Sequence, residues 1–378
     1  MGIVVQKFGG TSVATGSARL SLLNHVKTAK QQGKDVVLVV SAMGRKGEPY
    51  ATDTIISLLE SINPHIDPVK KDLILSCGEI ISCSLIAHFL DTNGIKAEAL
   101  TGFQAGILTT NDFNNSDIIS IDTTNIQKYI SQGKVPVIAG FQGITWNGEI
   151  TTLGRGGSDT TAVELGGYLK ADCVDIFTDV PGIAIVDPRI VPSAQYIKRI
   201  SYSDIYKLAY HGAKVIHPRA VKAAEKHSLP VRVRSTFSED EGTLISSSLT
   251  DTGRKIIGIA LDKPYFHIRL DKKLNNLAGI DSETLMLSRD TGDFIDIYAK
   301  QDSTLFQLFA DKEDYDEVSC ISIFPNPESN DSLPEEIKNQ IVSSKIDILD
   351  IFCHKDKISV FVDIDAATPC TRKIYDIV

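Results

Sequence analysis

Thr151-Thr152-Leu153-Gly154-Arg155-Gly156-Gly157-Ser158-Asp159-Thr160-Thr161 is the stretch on which the reading of this chain turns. Three glycines stand at positions 154, 156 and 157, and the run from Thr160 to Lys170, rich in Ala, Leu and Glu, reads as a helix. Glycine lets backbone N–H groups turn toward a ligand where a Cβ would clash. A helix N-terminus adds free donors and a positive dipole end, a seat for an anion. Arg155 brings a planar fork suited to carboxylate or phosphate. Asp159, in the first turn, either orients a cation or favours the helix dipole. Read as a plain loop with Ser158 as N-cap, the stretch leaves Arg155 and the doubled glycine without a role.

On either side of this stretch the chain alternates apolar strands with helices. Ile3 to Phe8 runs into Lys7-Phe8-Gly9-Gly10-Thr11-Ser12, and a helix follows from about Ser17 to Gln32, stopped by Gly33. Asp35 to Val40 is a continuous β-branched run, as in a parallel strand covered on both faces. The loop from Ser41 to Gly47 leads to a helix near Thr52. Asp67 to Asn93 reads as two helical pieces broken around Cys77-Gly78-Glu79. Lys96 to Thr101 and Val135 to Phe141 are strands, Thr124 to Gln132 is a helix, and Asn147-Gly148 marks a hairpin turn beside a structural Trp146. Cys173 to Asp179 is a strand. A helix near Ser203 to His211, one from Pro218 and a strand from Val231 to Thr236 complete the pattern. Such alternation means a layered α/β fold with a largely parallel sheet, whose ligands gather at the carboxyl ends of the strands. Lys7, Ser41, Thr178 and both glycine loops sit there.

Near residue 250 the texture changes. After a polar linker from Ser246 to Arg254 come short strands and the helix Glu335 to Ser343, a small α+β region with an acidic, solvated run from Asp311 to Glu317. The chain thus reads as domains 1–250 and 251–378.

Composition narrows the class. A length of 378 residues with 42% hydrophobic and 23% charged residues is ordinary for a globular protein. The net charge of −9 argues against nucleic acid as the main partner. No apolar run approaches the roughly 20 residues that span a bilayer. The N-terminus lacks the form of a signal peptide, so the expected location is the cytoplasm. Six cysteines without metal-like spacing read as reduced thiols.

Two glycine turns bearing Lys7 and Arg155 suggest a polyphosphate facing a small anionic substrate. Neither a P-loop nor the protein-kinase motifs occur. Phosphoryl transfer needs alignment and charge neutralisation above all. A carboxylate acceptor needs no general base, since a free Asp side chain, with a pKa of about 3.9, is already ionised at neutral pH. The absence of an evident catalytic His or Cys fits.

Four motifs in order carry a family resemblance: Lys7 to Ser12, Leu153 to Asp159, Phe177-Thr178-Asp179-Val180-Pro181-Gly182 and Asp187-Pro188-Arg189. Over roughly residues 3 to 250 the chain resembles the aspartate kinases. Ser41 to Asp53 and Gly212-Ala213-Lys214 look most like the Gram-positive, diaminopimelate-linked branch. The resemblance implies the amino-acid kinase fold, a three-layer sandwich with a largely parallel central sheet, followed by a shortened, degenerate pair of ACT-like units. It also implies ATP with Mg²⁺, the metal held mainly by phosphates, and L-aspartate as acceptor. By position, Lys7 neutralises the transferring phosphoryl group, Asp159 orients Lys7, and Phe8, Gly9 and Gly10 flank the phosphates. Arg155, with Gly156, Gly157 and Ser158, takes the α-carboxylate; Glu79 takes the ammonium; Ser41 and Thr52 line the channel. Thr178, Asp179, Asp187, Arg189 and Lys214 hold the nucleotide. Another amino-acid kinase and a non-catalytic sensor with the same fold are the competing readings; intact Lys7, Arg155 and Asp159 argue against the sensor. The C-terminal region is expected to support a homodimer or higher oligomer.

Overall fold

A computed structural model describes residues 2–211, 216–248, 250, 253–271, 287–300, 303, 306, 315–326, 332–354 and 356–378. The chain divides into two compact units. The first comprises Met1–Ile183, Tyr196–Ala209 and Lys214–Thr250; the second comprises Ala184–Gln195, Tyr210–Ala213 and Asp251–Val378. The second unit therefore claims two excursions of the chain that precede residue 250.

In the first unit the elements run β1 (Ile3–Phe8), α1 (Gly10–Ala14), α2 (Gly16–Gln31), β2 (Asp35–Val40), α3 (Thr52–Glu60), α4 (Pro68–Thr92), β3 (Ala97–Leu100), β4 (Ile107–Thr109) and β5 (Ile118–Ile121). Then come α5 (Thr124–Ser131), β6 (Val135–Ala139), β7 (Gln142–Ile144), β8 (Ile150–Thr152), α6 (Gly157–Tyr168), β9 (Cys173–Thr178), β10 (Arg199–Ser201), α7 (Tyr202–Tyr210), α8 (Pro218–Lys226), β11 (Val231–Ser235) and β12 (Thr243–Ser246). The main sheet has the order β10-β12-β11-β9-β1-β2-β6-β3, and only the β11–β12 pair is antiparallel. β1 lies between β2 and β9, so all three release their loops at one edge. The small sheet β5-β4-β7-β8 contains the hairpin turned at Asn147-Gly148.

The central strands are buried on both faces because helices cover both. Phe8, Leu38 and Val40 pack with Leu22 and Val26 of α2 and Ile86 and Leu90 of α4. Gly33, with φ of 74°, ends α2 as expected. Asp67 caps α4 by accepting the N–H groups of Val69 and Lys70, with Pro68 in the first turn.

α4 corrects two expectations. It is one continuous helix, not two pieces. Gly78 sits inside it because a Cβ there would lie 2.8 Å from the Cβ of Ala42; the glycine allows a close approach and does not break the helix. Pro68–Thr92 is also long and apolar enough, by length and composition, to cross a membrane. Half of its apolar window is buried, and it packs on β3 and β6, as a core helix does.

The second unit is a six-stranded antiparallel sheet in the order β14-β15-β13-β16-β18-β17. Its strands are β13 (Ile256–Asp271), β14 (Ser288–Asp290), β15 (Phe294–Lys300), β16 (Tyr315–Pro325), β17 (Asp350–His354) and β18 (Lys357–Asp363). Helices α9 (Leu333–Ser343) and α10 (Ala367–Tyr375) pack on it through Ile337, Ile341, Cys370 and Ile374. Val186, Val191 and Ala194 join this core, and the Ile259 N–H bonds to the Ile185 carbonyl at 2.6 Å. The cysteines are free thiols, of which Cys77 and Cys353 are exposed.

Candidate active site

The turn after β1 is pressed against the loop after β2. The Gly44 N–H bonds to the Gly10 carbonyl at 3.1 Å, and a Cβ on Gly10 would meet the Ala42 oxygen at 2.5 Å. On the other side the Gly9 N–H bonds to the Phe177 carbonyl of β9 at 3.2 Å. Of the two glycines after Phe8, Gly10 is thus required by the neighbouring loop, whereas a Cβ on Gly9 would meet nothing closer than the Phe177 oxygen at 3.7 Å. Lys7, on β1, directs its ammonium into this cradle; a Cβ on Gly9 would lie 3.8 Å from its Nζ.

The opening stretch of sequence supplies the partner. Gly156, with φ of 68°, is the N-cap of α6, and a side chain there would strike His217. Ser158 is therefore not the cap but the second helical residue, and it is buried. A Cβ on Gly140 would come 2.9 Å from the Ser158 Cβ, so that glycine makes room for it. One residue on, Asp159 Oδ1 meets Lys7 Nζ at 2.7 Å with both side chains largely buried. Arg155 precedes the helix, is exposed, and forms no ion pair with any described residue.

Glu79 completes the cluster. Its Oε1 accepts the Ala42 N–H at 2.9 Å, and its Oε2 is buried with no hydrogen-bond partner. Burial raises its pKa from the ordinary 4.5 to about 8, although the Ala42 N–H and the nearby Lys7 charge pull it down. Gly78 makes the arrangement possible, since it lets α4 reach the Ala42 loop.

The other residues read from sequence are placed as follows. Ser41 follows β2, its N–H on the Phe8 carbonyl at 3.1 Å. Thr52 opens α3 but does not cap it; the cap position is Ala51, without a side-chain bond. Thr178 ends β9, and its hydroxyl donates to Asp179 at 3.2 Å. Asp187 and Arg189 lie in the second unit and pair with each other at 2.5 Å. Gly212, Ala213 and Lys214 lie outside the described residues.

Three residues went unread in the sequence. Asp72 is completely buried on α4, seven residues before Glu79 and so on the same face. It accepts the Asn114 N–H at 2.9 Å and the N–H and hydroxyl of Thr152 at 2.8 and 2.6 Å. It thereby fixes the end of β8 from which the glycine-rich loop departs. Arg219 bonds to the carbonyls of Leu153 and Ser116 and to the Asp117 carboxylate at 2.6 Å, holding the same loop from α8. Arg45 reaches across to Asp179 at 2.5 Å. The one available signal for Asp72 was an acid in register with the apolar face of a helix.

Among the described residues no group of three or more His, Cys, Asp or Glu side chains is arranged to hold a metal ion. Asp159 and Asp179 are each engaged by a cation, Lys7 and Arg45 respectively, whereas Glu79 Oε2 is not. A separate polar cleft of about 510 Å³, lined by Gln6, His25, Asp175, Arg232 and Arg234, contains none of these residues.

A lysine-bearing glycine cradle at the carboxyl edge of a doubly covered sheet, with the Lys7–Asp159 pair and the buried Glu79 beside it, fits a phosphotransferase class of site. The model of the amino acid kinase family matches residues 2–235. Aspartokinase 1 of Bacillus subtilis is 44% identical over 304 residues, 79% of this chain and 75% of its own. Aspartokinase 2 of the same organism is 38% identical over 353 residues, 92% of this chain and 84% of its own. The crystal structure of Escherichia coli aspartokinase III in complex with aspartate and ADP matches the fold at a TM-score of 0.77 and 23% identity, covering 100% of this chain and 99% of that one. The chain belongs to the amino acid kinase family and, within it, to the aspartokinases.

Proposed function

We propose that the protein transfers the γ-phosphoryl group of ATP to the β-carboxylate of L-aspartate, giving 4-phospho-L-aspartate. This is the first step toward lysine and diaminopimelate, threonine and methionine. The observation that carries the reading is the Lys7–Asp159 pair set beside Glu79, whose Oε2 lacks a partner. The substrate ammonium meets Glu79, and Arg155, with Gly156, Gly157 and Ser158, receives the α-carboxylate through a bidentate fork and helix N-terminal donors. Ser41 and Thr52 line the path between them. A β-carboxylate oxygen attacks the γ-phosphorus, the bond from that phosphorus to the β,γ-bridging oxygen breaks, and ADP leaves. Lys7 neutralises charge on the group in flight, and Asp159 holds Lys7 in place. Phe8, Gly9, Gly10, Thr178, Asp179, Asp187, Arg189 and Lys214 serve the nucleotide. Mg²⁺ would neutralise phosphate charge and be held mainly by the phosphates, since among the described residues no group of three or more His, Cys, Asp or Glu side chains is arranged to hold a metal ion. The protein acts in the cytoplasm, with residues 251–378 as a reduced ACT-like region that supports self-association.

The test is a coupled ADP-release assay with and without L-aspartate, with hydroxylamine present to trap an acyl phosphate. Aspartate-dependent ADP release with hydroxamate formation is expected. Release that is indifferent to aspartate, or that responds instead to glutamate, would replace this reading.

A further inference from the structure

Arg45 has no place in the reaction as described so far, yet it crosses the cradle. The loops after β2 and β9 flank the Gly9-Gly10 turn, because β1 lies between those strands. Arg45 belongs to the first loop and Asp179 to the second, and their side chains meet at 2.5 Å. The ion pair therefore spans two strand intervals, roughly 10 Å, over the edge at which Lys7 and the glycine turn emerge. Arg45 is positioned for this. Its own N–H donates to Glu48 Oε2 at 2.7 Å, the Glu48 N–H bonds back to the Arg45 carbonyl at 2.9 Å, and the adjoining Gly44 is bonded to Gly10.

The pair is weak by its surroundings. The Arg45 side chain is 69% exposed and that of Asp179 is 42% exposed; exposed pairs of this kind contribute about 0–1 kcal/mol. A polyphosphate offers the same guanidinium several charged oxygens in bidentate geometry. We propose that Arg45 is a further phosphate-binding residue: its guanidinium, paired with Asp179 across the cradle, exchanges that partner for the β- and γ-phosphates when ATP enters. The pair acts as a latch across the cradle, and Asp179 is its resting counterion. This rests on the reading of the cradle as an ATP site.

The experiment measures equilibrium binding of ATP, and of AMP by displacement, to the full chain and to Arg45→Ala, Arg45→Lys and Lys46→Ala. Lys46 occupies the same exposed turn and serves as the control. For Arg45→Ala the ATP dissociation constant should rise about tenfold, the loss of one charge-assisted contact, while that for AMP stays within about twofold. Arg45→Lys should fall between, and Lys46→Ala should match the parent for both ligands. An Arg45→Ala protein that binds ATP as the parent does, or that loses ATP and AMP equally, overturns the proposal. No acceptor is needed, so failure here is separable from failure of the aspartate assay: a chain that binds ATP through Arg45 but ignores aspartate would sink only the proposed substrate.

Discussion

Lys7 and Asp159 lie 152 positions apart in sequence and 2.7 Å apart in space; the residues alone left Asp159 open between a cation and the helix dipole, and the family resemblance paired it with Lys7. Removing the ammonium by Lys7→Ala should lower kcat by about 10²–10³-fold, as loss of one preorganised charge at the transition state does, and should lower the unfolding midpoint while the chain still folds, because Asp159 is left largely buried without its partner; activity within a few-fold of the parent would remove Lys7 from the chemistry. Arg155→Lys should raise KM for aspartate about tenfold, one charge-assisted bond's worth, and leave KM for ATP unchanged. Equal losses would move Arg155 to the phosphate side. Glu79 predicts a pH dependence. The folded chain keeps its proton up to about pH 8, against an ordinary 4.5. Its contribution to stability is thus full below the lower value and is lost as pH rises toward the upper one. Glu79→Gln should flatten this part of the urea-midpoint profile between about pH 5 and about pH 8. For the parent, kcat/KM for aspartate should rise with pH through about 8 and level off only above it, because the arriving ammonium must displace the proton. A profile flat over that window would mean that Glu79 does not meet the substrate. Burial of this kind is invisible in sequence: Glu79 was singled out by its Cys77-Gly78-Glu79-Ile80 context, not by its environment. Trp146 shows the reverse error. Read as structural, it is 78% exposed.

At the scale of elements, the strands and their loops were legible because β-branched runs and glycine turns report on local conformation. α4 was not, because Gly78 carries two meanings in a sequence, helix breaker or close contact, and only the neighbouring loop decides. Gly78→Ala separates them. Alanine gains about 1 kcal/mol of helix propensity, but its Cβ would lie 2.8 Å from Ala42 and 3.3 Å from Ile55, and such overpacking costs about 1–3 kcal/mol. The variant should be less stable in urea and should bind aspartate more weakly, since Ala42 is displaced from Glu79. A net gain in stability would show that the contact is loose. Asp72 was missed for a related reason: a lone acid on an apolar helix face has no local partner to announce it. Asp72→Ala leaves the Asn114 and Thr152 N–H groups buried without an acceptor and should cost on the order of 3 kcal/mol, measured by urea unfolding. The short strands β4 and β5 also went unread, being three and four residues long with no turn motif to frame them.

For the whole molecule, the change of texture near residue 250 was readable, whereas the two excursions into the second unit were not, since nothing local marks Ala184–Gln195 as belonging to a distant sheet. β16 ends in Pro325, and Pro327 with the stretch 272–286 falls outside the described residues. Because the resemblance makes residues 251–378 a shortened, degenerate ACT-like pair, we expect no sub-millimolar inhibition by lysine, threonine or diaminopimelate, as titration of each in the coupled assay would read. A chain ending at Ser248 would leave Val186, Val191 and Ala194 without their core. Such a protein should bind a hydrophobic dye and lose the parent's oligomeric state on a sizing column.

The exposed thiols have a practical consequence. Cys77 belongs to the first unit and Cys353 to the second; Cys83, Cys320 and Cys370 are buried, and Cys173 is half-buried with its thiol pushed up to about 12 by burial. Partial burial raises the Cys353 thiol pKa and slows its conversion to thiolate. A limiting dose of a maleimide donor dye at mild pH should therefore mark Cys77 first, and an acceptor dye added afterwards should find Cys353. The natural sequence thus carries a fluorophore pair's attachment points, one on each unit and with no substitution needed. Energy transfer between them, followed as ATP or aspartate is added, would read ligand-driven motion directly in solution.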